Sequence, residues 1–159
     1  MKKAPKTNAM RYLDKNKIPY KEIVYDCDGF LDGVTIAEKI GQPVEKTFKT
    51  LVTVGKSKTH YVFVVPVADE LDLKKAASVA KEKSIEMIAV KDITPITGYV
   101  RGGCSPLGMK KQLKTYVHQT ALDYETICFS GGRLGAQIEL APKYLEQLIN
   151  AEFNDLIVK

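Results

Sequence analysis

Thr47-Phe48-Lys49-Thr50-Leu51-Val52-Thr53-Val54-Gly55-Lys56-Ser57-Lys58-Thr59-His60-Tyr61-Val62-Phe63-Val64-Val65-Pro66-Val67 reads as two β-strands and a turn. Residues 47–54 are rich in β-branched and aromatic side chains, which fit a pleated surface. Gly55-Lys56-Ser57-Lys58 breaks the run, and residues 60–67 return as a second strand, so the unit is a hairpin. The return strand is apolar on both faces, which places the hairpin inside a sheet rather than at its edge. Lys49 interrupts the first strand. A lysine there either snorkels to solvent or faces a cleft, where it would be the only strong cation able to meet a phosphate or a hydroxyl.

The flanking elements are short. Residues 7–17 predict a helix capped by Thr7 or Asn8, with Met10 and Leu13 on its apolar stripe and Pro19 blocking its continuation. Residues 20–27 alternate as a strand. After a loop with Asp28-Gly29-Phe30, residues 35–40 predict a helix ended by Gly41. Residues 72–83 have amphipathic helical spacing, with Leu73, Ala76, Ala77 and Val79-Ala80 inward. Residues 84–90 predict a strand and 92–97 a helical turn with Asp92 as its cap. Strands are expected at 115–118, 126–129 and 137–140, and Pro142 opens a last helix over 143–151. Short links between strands favour an α/β (α+β) fold on one mixed, partly antiparallel sheet with surrounding helices, not a doubly wound parallel sheet.

At 159 residues one domain spanning 1–159 is expected, large enough to bury a core without staples. No apolar run approaches a membrane span, and the basic N-terminus has no apolar segment behind it, so a cytoplasmic protein with no membrane partner is expected. Cys27, Cys104 and Cys128 form neither a disulfide framework nor a CxxC pair, and with His60 and His118 they make no metal-ligand pattern. Neither a metal nor another cofactor is expected. Phosphate-loop and dinucleotide-binding motifs are absent. The net charge of +5 is unevenly spread: residues 1–21 carry seven Lys/Arg against Asp14, and residues 93–122 carry four and no acid. Two basic segments on a slightly acidic body point to a polyanion, with nucleic acid first. Taken alone they also fit solvated surface lysines.

The second basic segment contains Gly98-Tyr99-Val100-Arg101-Gly102-Gly103-Cys104-Ser105-Pro106-Leu107-Gly108, with four glycines in eleven positions. Such a loop lets a ligand approach main-chain N–H groups, although glycine pairs also simply punctuate turns. A second glycine signal stands at Ser130-Gly131-Gly132.

Phe48-Lys49-Thr50-Leu51, Leu71-Asp72-Leu73-Lys74-Lys75, the GYxxGGxSPLG pattern of residues 98–108, and Ser130-Gly131-Gly132 leading to Ile138-Glu139-Leu140-Ala141 occur in this order. Together they resemble the bacterial Cys-tRNA(Pro)/Cys-tRNA(Cys) deacylases of the YbaK/EbsC type, within the superfamily of prolyl-tRNA synthetase-associated editing domains. The resemblance runs from about residue 8 to the C-terminus. It implies a curved mixed sheet and a hydrolytic proofreader of aminoacyl-tRNA, working with prolyl-tRNA synthetase in a ternary complex. It further implies catalysis by the substrate's own thiol, with the protein orienting the ester and stabilising negative charge through main-chain N–H groups.

Carried over by position, Lys49 holds the terminal adenosine's phosphate or ribose, and Gly102 and Gly103 complete the catalytic set. Ser105 lines the aminoacyl pocket, Pro106 fixes the loop, Thr50 and Ser130 form walls, and Tyr25 meets the substrate end. Phe30, Tyr99, Arg101 and Gly131 are further substrate-binding candidates. Gln137 stands where some relatives are expected to carry Asp, so no acidic role carries over to it. Cys104 is expected to pack as a small hydrophobe rather than act as a nucleophile. Two other functions fit the same residues: hydrolysis of Ala-tRNA(Pro) or another small aminoacyl-tRNA by a bound water, and a non-catalytic module that binds RNA ends.

Overall fold

The computed structural model describes residues 5–159; Lys2 and Lys3 of the first basic segment lie outside the described residues. The central hairpin forms as its sequence dictates. β2 (Phe48–Gly55) pairs antiparallel with β3 (His60–Pro66), with Lys49 opposite Val65 and Val52 opposite Val62. β4 (Ile85–Met87) closes the outer side of β2, while β5 (Lys114–His118) runs parallel to β3 and β8 (Glu152–Asn154) parallel to β5. The five-stranded sheet is thus mixed, in the order β4-β2-β3-β5-β8.

β1 (Lys21–Val24), β7 (Ala136–Leu140) and β6 (Ile127–Ser130) form a second, antiparallel sheet in the order β1-β7-β6. The mixed α/β class stands, but its strands divide between two hydrogen-bonded sheets where one was expected. They meet at a parallel bridge between Thr47 and Cys128. The ion pair of Lys46 with Glu139, 2.8 Å long and shared with Thr126, ties the start of β2 to β7.

β3 shows why the hairpin is central. Val62 and Val64 enter the larger core with Phe48, Val52, Phe129, Ile138 and Leu140, whereas Phe63 and Val65 enter a smaller one with Ala76, Ile85, Tyr116 and Leu156. Alternate side chains therefore serve opposite faces of one strand. Helices cover both faces. α1 (Asn8–Lys15) buries Ala9, Met10 and Leu13, and its cap is Thr7, whose hydroxyl accepts the Met10 N–H. α2 (Gly33–Ile40) starts at Asp32 and ends at left-handed Gly41. α5 (Lys143–Ile149) follows Pro142.

Three boundaries differ from the sequence expectation. α3 (Leu73–Ala80) stops at left-handed Lys81, because Glu82 turns back to accept hydrogen bonds from Ser57 and Tyr61. The strand expected over 84–90 keeps only β4, and the rest becomes a 3₁₀ turn at Val90–Asp92. Asp92 makes no side-chain cap for α4 (Ile93–Thr97). No helix among the described residues is long and apolar enough to cross a membrane.

Candidate active site

The first half of β2 forms one wall of a cavity of about 570 Å³. The N-terminus of α2 with the preceding Phe30-Leu31 forms a second wall. Met87, Ile88, Val90 and Ile93 supply an apolar third. Arg101, Gly102 and Cys104 bring the glycine-rich loop to the rim, and Ser130 and Gln137 reach in from the other sheet. The cavity therefore sits where the two sheets meet.

Lys49 lines this space. Burial pushes its ammonium below the 10.5 of a free lysine, against the opposing pull of Glu70 and Asp69. Among the described residues no carboxylate comes within ion-pair distance of it. A partly desolvated, uncompensated cation is suited to a phosphate or a ribose oxygen. It is not the sole cation, as the sequence suggested. Arg101 also lines the cavity, with its guanidinium 4.3 Å from the ring centroid of the half-exposed Phe30. The pair presents a flat, cationic surface of the kind on which nucleobases stack.

The two loop glycines do different work. Gly102 lines the cavity at φ +84°, a left-handed geometry that disfavours any side chain, and a Cβ there would stand 3.0 Å from the Phe30 ring. Its N–H has no hydrogen-bond acceptor among the described residues. Gly103, expected in the catalytic set, is outside the lining. A Cβ on it would lie 2.9 Å from the Arg133 Cα, and its N–H donates to the Val100 carbonyl. Gly103 lets the two glycine loops touch and offers no N–H to a ligand.

The remaining candidates separate in the same way. Phe30, Thr50 and Ser130 line the cavity together with Lys49, Arg101 and Gly102. Ser105, Pro106, Tyr99, Gly131 and Tyr25 do not, and each has a structural reason. Ser105 is fully buried and its hydroxyl accepts the Leu107 N–H, in the turn that also buries Pro106. Tyr99 is buried, and its hydroxyl donates to the Leu107 carbonyl at 2.6 Å, which closes the loop from within. The Gly131 N–H donates to Ala136. Tyr25 is buried beside Gln137, and burial raises its hydroxyl pKa.

No histidine lines the cavity. His118 is buried elsewhere and its Nδ1 accepts the Leu156 N–H, while burial holds it neutral. The Cys104 thiol does reach the cavity, but burial pushes it up to about 11. It is protonated at neutral pH and has no base beside it. Ser130 Oγ accepts the Gly132 N–H, and Asp32 is engaged in capping α2 through the Thr35 N–H. The cavity thus offers cations and an open N–H but no nucleophile–base pair.

Sequence reading assigned no role to Gln137 and left the apolar wall from Met87 to Ile93 out of the site. Gln137 is 4 % exposed, lines the cavity, and its Oε1 has no hydrogen-bond partner. Its alternation in β7 suggested burial, and nothing in the sequence said that it faces a cavity.

The two-sheet fold and this cavity belong to a known class. The chain is a member of the aminoacyl-tRNA editing domain family, whose pattern matches residues 33–148. The resemblance carried by Phe48–Leu51 and by residues 98–108 is therefore borne out. EbsC of Enterococcus faecalis, assigned as a Cys-tRNA(Pro)/Cys-tRNA(Cys) deacylase, is 45% identical over 155 residues, which covers 97% of this chain and 94% of EbsC. A solved structure described as a trans-editing enzyme for prolyl-tRNA synthetase is 25% identical, with a TM-score of 0.85 and 96% of both chains covered. The protein APE2540 shares the fold at 18% identity, with a TM-score of 0.85 over 95% of this chain and 99% of its own.

Proposed function

We infer that this protein is a trans-editing deacylase that removes cysteine from mischarged Cys-tRNA(Pro), with the substrate's thiol as nucleophile. The observation that carries this reading is a cavity with cations for the RNA end and an unengaged Gly102 N–H, but with no activated side chain to attack an ester. A substrate that brings its own nucleophile needs only to be held and polarised. The cysteinyl sulfur attacks the ester carbonyl carbon, and negative charge develops on the carbonyl oxygen, where the Gly102 N–H donates. The carbon–oxygen bond to the ribose breaks, the ribose oxygen ends with the proton that the thiol gives up, and the cysteine leaves as a thiolactone that water opens.

Editing is needed because cysteine and proline are close in size, and an apolar pocket separates a methylene-sized difference by only about 1–3 kcal/mol. Lys49 takes the phosphate or ribose of the terminal nucleotide, and Phe30 with Arg101 takes its base. Binding of tRNA by charge alone is weak and salt-sensitive, so prolyl-tRNA synthetase supplies the tRNA in a ternary complex. Likeness to the trans-editing structure supports this partnership. The test is hydrolysis of Cys-tRNA(Pro) beside Ala-tRNA(Pro) at catalytic protein concentration. Cysteinyl ester cleaved and alanyl ester spared is the expected result. The reverse would move the chemistry to a bound water, and turnover of neither would leave an RNA-end binding module.

A further inference from the structure

We propose that Gln137, with Thr50 beside it in the cavity, recognises the free α-ammonium group of the aminoacyl ester and so fixes which way the ester lies. The assignment rests on the aminoacyl-tRNA reading above and goes beyond it by giving the amino group its own subsite. Gln137 lies opposite Ser130 in the β6–β7 ladder, so the two side chains project to the same face, and both line the cavity. The Gln137 Oε1 is buried with no hydrogen-bond donor, and the Thr50 Oγ1, also in the lining, is equally unpartnered. The Tyr25 hydroxyl next to Gln137 is a third buried group without a partner. Buried acceptors are nearly always satisfied in folded proteins, and leaving one empty is costly. Three in one place mark a position that a ligand's donors fill.

Charge decides which donors. Lys49 and Arg101 repel an ammonium, and the one carboxylate in the lining, Asp32, is held by the first turn of α2. The neutral acceptors at Gln137 and Thr50 are thus the part of the lining that an ammonium can occupy. With the phosphate or ribose at Lys49 and the amino group at Gln137, the ester carbonyl is strung between them. Because an amide does not titrate, this recognition stays constant across the pH range in which a carboxylate would lose its charge.

The test compares Cys-tRNA(Pro) with N-acetyl-Cys-tRNA(Pro), which keeps the thiol and loses the ammonium. Calorimetric binding of 3′-cysteinylamino-3′-deoxyadenosine and its N-acetyl form is measured alongside. The unaltered protein is expected to favour the free amine by about tenfold or more in kcat/KM and in affinity, because a site built to hydrogen-bond a group rejects ligands without it. Gln137→Met should lose that preference by slowing the free-amine substrate alone, and Gln137→Glu should keep it. Equal loss on both substrates, or a preference that survives in Gln137→Met, would overturn the assignment. If neither ester turns over while the free-amine analogue is still preferred in binding, the hydrolase reading falls and the ammonium subsite stands. An unaltered protein that shows no preference in either measurement would overturn the subsite.

Discussion

Lys49 is the residue at which stability and function oppose each other most clearly. Its ammonium is drawn partly out of water with no ion-pair partner among the described residues, and burial lowers its pKa. A lowered lysine pKa means that folding disfavours the charged form, so below the folded pKa the charge subtracts from stability. Lys49→Met should therefore melt at or above the temperature of the unaltered protein at pH 7. That advantage should shrink as pH rises through the folded pKa towards 10.5, the value of a free lysine. Deacylation by the same variant should fall by about 10²-fold or more, the usual cost of losing a fixed charge at a reacting centre. Thermal melts at several pH values together with initial rates check both halves, and a folded variant with unaltered rates would remove Lys49 from the site. Lys49 was legible in the sequence as an exception in an apolar strand. Gly103 was misread, since a GG pair does not show which glycine faces a ligand and which is required by the Arg133 backbone.

At the scale of elements, the cavity depends on how the two sheets are held together. The Lys46–Glu139 pair spans their junction, with each side chain only 16% exposed, and Thr126 donates to the same carboxylate oxygen. These partners hold the Glu139 carboxyl below its ordinary 4.5, with the Lys46 hydrogen bond as the largest cause. A depressed carboxyl pKa contributes stability above 4.5 and loses it as pH falls through the folded value. Glu139→Gln should thus cost about 1 kcal/mol at pH 7, seen as a melting temperature lower by about 2–4 °C. The difference should close below pH 4.5; a difference that persists in acid would mean that packing, not charge, is what Glu139 supplies. The pair could not be read from sequence, because its partners are 93 residues apart and each looks like a solvated surface charge. The hairpin and the N-cap of α1 were legible because their signals are local. α3 was expected too long because the pull of Ser57 and Tyr61 on Glu82 is not. β8 was missed for the same reason: its three residues become a strand only by lying alongside β5.

At the scale of the whole molecule, the chain builds a joint between two sheets and puts its chemistry there. Sequence order gave the right pieces, Lys49 with Thr50, the 98–108 loop, and the Ser130 turn, because each carries a local oddity: a charge in a strand, or glycines where no turn of a hairpin needs them. It could not give their assembly, in which Gln137 and the apolar wall from Met87 to Ile93 complete the cavity. What the assembled cavity lacks is as informative as what it contains: no histidine, and a Cys104 thiol held up at about 11. The thiol that attacks is therefore the substrate's. The measurement that tests this most directly is single-turnover deacylation of Cys-tRNA(Pro) against Ser-tRNA(Pro), whose side chains are nearly isosteric and differ chiefly in nucleophilicity. Rapid release of cysteine with the seryl ester left at its spontaneous rate is expected. Equal release of both amino acids would mean that a water or a protein group attacks, and would contradict substrate-thiol catalysis.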